Sequence, residues 1–226
     1  MKVIIGIIAL LFSCTSIGDT PSKLPEKIFE IPALDRKKAN RGIDTLMSEA
    51  SALNSLIGRY PPSYKTGEER EKTYALWSDL LQDVNTIPQN SEEYLFLNAQ
   101  LYRQGHNMDV RYAAQKSDEF IQSCISTFKK SEKCHLEATY LYLQVGPPNT
   151  KLAKKSLKAL KKMYKPNLNE EVEAGYVFVY LYSRDNKGAI IQIKKYLKEF
   201  PSSSRSVMFK KIMAGIENGG IQVKSN

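Results

Sequence analysis

The chain has 226 residues, 42% hydrophobic and 25% charged, with 33 Lys and Arg against 24 Asp and Glu, a net charge of +9. This composition excludes wholesale disorder, and no apolar run reaches the roughly 18 residues that span a bilayer, which excludes a polytopic membrane protein. Two His and three Cys are too few for a multi-ligand zinc site or a His-rich catalytic centre, so no metal, no cofactor and no enzymatic activity is expected.

Met1-Lys2 is a short basic start, and residues 3–12 are uncharged and apolar. That is the charge and length pattern of a secretory signal, expected over residues 1–13. Leu11-Phe12-Ser13-Cys14 resembles the bacterial lipobox, with Phe12 standing where a smaller residue is usual. The resemblance implies that Cys14 becomes a lipidated N-terminus. Thr15 after the Cys resembles an outer-membrane address. The expected location is therefore the bacterial cell envelope, lipid-anchored, at the outer membrane facing the periplasm. Residues 14–32 carry Pro21, Pro25 and Pro32 and no helical apolar stripe, so they read as the lipidated Cys and an extended tether.

From residue 33 to 218 the periodicity is helical throughout. Leu46, Ala50, Leu53 and Ile57 form one apolar face, stopped by Pro61-Pro62. Tyr74, Trp77, Leu81 and Val84 form the next, ended by Pro88, and Asn90 with Glu93 has capping-box spacing. Tyr94, Leu97 and Leu101 follow, with Gly105 as the expected stop. Ala113, Phe120, Cys124 and Phe128 mark a further helix. Others are expected over about 132–145, 150–164, 169–183, 187–199 and 203–217, with 219–226 as a disordered tail. The fold class is all-α, with no convincing strand.

Leu101-Tyr102, Leu141-Tyr142 and Leu181-Tyr182 recur at a constant offset, each followed by a helix that opens near Ala113, Ala153 or Ala189. A fixed period with one helical hairpin per unit signals an α-solenoid of about eight or nine stacked helices. Tyr180, Ala189, Ile193 and Phe200-Pro201 resemble a tetratricopeptide repeat (TPR), although Val177 and Tyr196 depart from its pattern. The resemblance implies a right-handed TPR-like stack, and the Phe200-to-Ser203 ending is similar to that of repeat-containing periplasmic lipoproteins.

Cys124 and Cys134 lie at the end of one helix and the start of the next, where a disulfide is sterically accessible; two buried free thiols are the other account. His106 and His135 have no nucleophile or second ligand nearby in sequence, so solvated or capping roles are expected. Lys151, Lys154, Lys155, Lys158, Lys161 and Lys162 crowd one short helix, and Lys194, Lys195 and Lys198 occupy the corresponding helix of the next unit. Either they only solvate those faces or they meet an anionic partner surface. Tyr102, Tyr142, Tyr180 and Tyr182 fall on first helices, which line the partner groove in tetratricopeptide-like proteins; they are candidate partner-binding residues, with core filling as the bland account. The expectation is a non-enzymatic membrane-anchored scaffold that binds an envelope protein, not nucleic acid. The alternative is a helical carrier or transport accessory holding a small or lipidic ligand in an aromatic cavity.

Overall fold

A computed structural model describes residues 28–34 and 41–219. Among these residues ten helices follow in order: α1 Ile43–Ala52, α2 Asn54–Ile57, α3 Gly67–Val84, α4 Glu92–Asn107, α5 Ala113–Thr127, α6 Glu132–Gln144, α7 Thr150–Tyr164, α8 Glu170–Tyr182, α9 Asn186–Glu199 and α10 Arg205–Glu217. Among the described residues the only β feature is an isolated bridge between Phe29 and Val110. The fold is all-α and solenoid-like, with helices packed in consecutive pairs. The chain forms two compact units, residues 1–123 and 124–226, and the division falls inside α5. Cys14, the 1–13 leader and residues 220–226 of the expected tail lie outside the described residues.

Six helices begin with the same device. Thr66, Ser91, Ser131, Asn149, Asn169 and Asp185 each accept a hydrogen bond from the backbone N–H three residues on. Each thereby satisfies one of the amide donors that a helix start leaves unpaired. The cap of α4 is Ser91, not Asn90. Ser91 takes the role because its extended backbone lets its hydroxyl reach the Tyr94 N–H.

In the N-terminal unit, α1, α3 and α4 pack together around Leu46, Ala50, Ile57, Trp77, Leu81, Leu97 and Leu101. The stripe through Leu53 and Ile57 is broken at Leu53 into α1 and the single turn α2. α4 supplies polar groups to the carbonyls left open at the ends of these short helices. Buried Arg103 donates to Gly58 O at 2.9 Å, Gln104 to Ala50 O at 2.8 Å and Asn107 to Ile57 O at 2.9 Å. Each bond offsets the penalty of a buried unpaired carbonyl, which is of order 1–3 kcal/mol.

Two expectations change here. Gly105 does not end α4, which runs on to Asn107, and His106 therefore lies in the last helical turn rather than in a loop. A Cβ on Gly105 would stand 2.7 Å from Trp77 Cζ2. The glycine is there so that the indole can lie against the helix backbone, where Trp77 Nε1 donates to Leu101 O at 2.6 Å. The second change concerns the tether. Phe29 is buried, stacks on Tyr74 at 4.0 Å and lies beneath the Arg70 guanidinium. The Arg111 N–H donates to Phe29 O at 2.9 Å. The segment from Ile28 is thus part of the folded unit.

In the C-terminal unit each helix packs on the next: α6 on α7, α7 on α8, α8 on α9, α9 on α10. α8 is buried continuously from Val172 to Val179, which is why its apolar residues show no clear helical stripe. Gly175 lets α7 approach closely, since a Cβ there would meet Leu157 Cδ2 at 2.6 Å. The α9–α10 turn is tied to the start of α8: Ser203 Oγ and the Tyr196 hydroxyl both donate to Glu170 Oε1, at 2.6 and 2.7 Å. Arg205 pairs with Glu171 at 2.8 Å and with Glu170 at 3.5 Å.

Candidate functional site

Four surfaces or clusters were marked by the sequence. Cys124 and Cys134 stand at disulfide distance with their Cα atoms 5.9 Å apart. The Ser131 cap on the Cys134 N–H, at 3.1 Å, begins α6 at this point and brings its first turn back to the end of α5. Beside the pair, His135 is buried rather than solvated, and of the two expected roles the capping one is the nearer, with Nε2 3.1 Å from Lys129 O in the turn before α6. His106 is half-buried, and burial lowers its pKa, with a small opposing push from Asp109.

The four candidate tyrosines separate into two kinds. Tyr102 is 4% exposed, stacks on Phe120 at 5.6 Å and meets Trp77 edge-on. Its hydroxyl is pushed up to about 12, first by burial and then by Tyr94 and Glu119. Tyr142 is 8% exposed. These two are core residues in this structure, because the buried stripe of a helix packed on two sides is wide enough to take the ring next to the Leu. Tyr180 and Tyr182 at the end of α8 remain half-buried.

The lysines form the most organised surface. α7 buries Ala153, Ser156, Leu157 and Leu160. At roughly 100° per residue, Lys151, Lys155, Lys158 and Lys162 fall within an arc of about 60° directly opposite that face. All four are exposed, and none makes an ion pair among the described residues. Lys154 and Lys161 lie on the flank, with their ammonium groups 5.4 Å from the Tyr180 ring and 5.5 Å from the Tyr176 ring, within cation–π range. α9 repeats the arrangement: it buries Ala189, Ile193 and Tyr196 and turns Lys187, Ile191, Lys194 and Lys198 outward.

Glu173 of α8 stands between the two helices with its side chain 2% exposed. It meets Lys195 at 2.7 Å and Lys161 at 3.9 Å, and Gln192 donates to it at 2.7 Å. Burial alone would raise this carboxyl. The bonds from Lys195 and Gln192, with the charges of Lys195 and Lys161, outweigh it and hold the pKa below the usual range. Lys161 and Lys195 are thus committed to an internal carboxylate, while Lys151, Lys155, Lys158 and Lys162 of the α7 stripe have no acidic partner among the described residues. Lys194 reaches Glu217 at 3.8 Å.

Sequence reasoning missed Glu173 as the partner of both lysine sets, since only the three-dimensional packing of α7, α8 and α9 joins them. It also missed a signal present in the chain itself. Residues 124–226 carry 19 basic and 8 acidic side chains, net +11, against 14 and 16 in residues 1–123, net −2. The whole positive excess belongs to the C-terminal unit.

A cleft of about 120 Å³ is lined by Lys161, Tyr164, Lys165, Pro166, Leu168 and Val172 at the α7–α8 turn. It is smaller than the roughly 300 Å³ that a small-molecule site requires. Among the described residues no group of His, Cys, Asp and Glu is placed to hold a metal ion, and no helix is long and apolar enough to cross a membrane. No family model, no curated protein and no solved structure matches the chain.

Proposed function

We propose that the protein is a lipid-anchored helical scaffold of the bacterial cell envelope, held through Cys14, that binds a protein partner and has no enzymatic role. The observation that supports this most is the run of helices in the C-terminal unit, α6 to α10, each packed on the next in chain order. Such stacks present long continuous surfaces, which suits them to holding another chain. Tyr180 and Tyr182 are the contact residues proposed, because they combine a large apolar ring and a polar tip with partial exposure. The lipobox-like start supplies the anchor, and two or more acyl chains are what stable membrane attachment requires.

A photo-crosslinking amino acid placed at Tyr182 in the native host tests the partner reading. The expected result is one discrete adduct with an envelope protein, weakened by Tyr180→Ala and by release of the protein in a Cys14→Ser background. Adduct formation that is diffuse, or identical when the crosslinker replaces exposed Lys72 in α3, would contradict it.

A further inference from the structure

From the organisation of the C-terminal unit we infer that the outward lysine stripes of α7 and α9 form a flat docking surface for an anionic lipid bilayer. Lys151, Lys155, Lys158 and Lys162 follow one another at intervals of four, three and four residues. They therefore make a straight row of exposed ammonium groups about 16 Å long. Lys187, Ile191, Lys194 and Lys198 repeat the same intervals on α9. Glu173 of α8 joins the two helices that carry the rows. Lys161 lies on one flank of the α7 row and Lys195 on the opposite-sense flank of the α9 row, and both reach Glu173.

Charge complementarity selects the occupant. α7 contains no acidic residue, and like charges at these intervals repel along the helix. A dense field of phosphates relieves that repulsion. Lysine is depleted at protein–protein interfaces, whose centres are aromatic and Arg-rich, and these rows contain neither Arg nor an aromatic residue. Rows of point charges suit a diffuse plane of headgroups instead. Ile191 is 65% exposed between Lys187 and Lys194, positioned to enter the interfacial layer while its neighbours pair with phosphate. The positive excess lies in the C-terminal unit, +11 against −2, which gives that unit the charge an anionic bilayer attracts. The inference rests on the reading of a protein held at a membrane, and it assigns the face that lies against that membrane.

The full chain carrying Cys14→Ser is sedimented with vesicles of phosphatidylcholine alone and with vesicles of phosphatidylcholine and phosphatidylglycerol. The phosphatidylcholine arm reads any attachment through the apolar leader, and the difference between arms reads the lysines. The anionic vesicles should bind more protein. Lys155→Glu, Lys158→Glu and Lys162→Glu together should lower that preference at least about a hundredfold, since each lysine near an anionic surface contributes about fivefold. A charge-matched triple in the other unit, Lys65→Glu, Lys72→Glu and Lys116→Glu, should leave it unchanged, with far-UV circular dichroism reporting that both variants fold. Equal binding to the two vesicle types would overturn the inference, as would equal loss in both triples. So would binding to soluble polyglutamate without binding to vesicles, which would make an acidic protein the occupant. Absence of acylation at Cys14 in cells would sink the anchored-scaffold reading and leave the vesicle result standing.

Discussion

Replacing Gly105 with Ala separates two accounts of this residue by the sign of the effect. In a solvated helix interior, Gly→Ala stabilises by about 1 kcal/mol because it removes backbone freedom from the unfolded chain. Here the new Cβ would come to 2.7 Å from Trp77 Cζ2, 3.1 Å from Cε2 and 3.3 Å from Cη2. The indole cannot step aside as the end of a flexible chain would: it is fully buried and its Nε1 is fixed on Leu101 O at 2.6 Å. Overpacking of this kind costs about 1–3 kcal/mol, so after the gain of about 1 kcal/mol the net change should be a loss of up to about 2 kcal/mol. Urea denaturation followed by Trp77 fluorescence is a suitable assay, since this is the single Trp in the chain. The midpoint should fall without a change in slope. In a Trp77→Leu background, followed by far-UV circular dichroism because no Trp remains, the same substitution should become neutral or stabilising. A higher midpoint for Gly105→Ala in the native background would refute the packing role and leave Gly105 an ordinary helix-interior glycine.

Tyr102→Ala and Tyr142→Ala should each cost about 3–5 kcal/mol, as truncation of buried rings does, whereas half-buried Tyr182→Ala should cost clearly less in the same denaturation series. A cross-link between Cys124 and Cys134 closes a loop with a sequence separation of 10, worth about 2–3 kcal/mol by chain entropy. Thiol labelling of the unreduced protein should find neither sulfur, and two labelled cysteines would remove the cross-link. Glu173 and Glu170 are both held below the usual carboxylate range, in each case against the opposing pull of burial. Lys195 and Gln192 do this for Glu173, and Ser203 and Tyr196, with the charge of Arg205, for Glu170. Their contribution is therefore complete above the unfolded value of 4.5 and is lost as the pH falls through the lower folded values. Glu173→Gln should flatten the acid side of the stability profile, and an unchanged slope would show that the carboxylate is not coupled to folding.

Much of the fold was legible because its punctuation is local. Ser131, Asn149, Asn169 and Asp185 announce helix starts within three residues of themselves, and Pro88, Pro166 and Pro201 follow closely on helix ends. What failed depends on distant residues. Gly105 looks the same in sequence whether it ends a helix or admits a ring, and Trp77, which decides the matter, lies a helix earlier. Phe29 sits among prolines and joins the core only through Tyr74 and Arg111. The lysine stripe on α7 was legible as a pattern of exposed positions. Its division into committed and uncommitted charges was not, because Glu173 reaches it from the following helix.

The intact mass and N-terminal identity of the protein purified from its native membranes test the central claim most directly. A lipid-anchored scaffold predicts a chain that begins at Cys14, heavier than residues 14–226 by a diacylglyceryl group on the sulfur, with the mass reverting to that of an unacylated species in Cys14→Ser. A mature protein that begins elsewhere, or that begins at Cys14 with a free sulfur, would contradict the account.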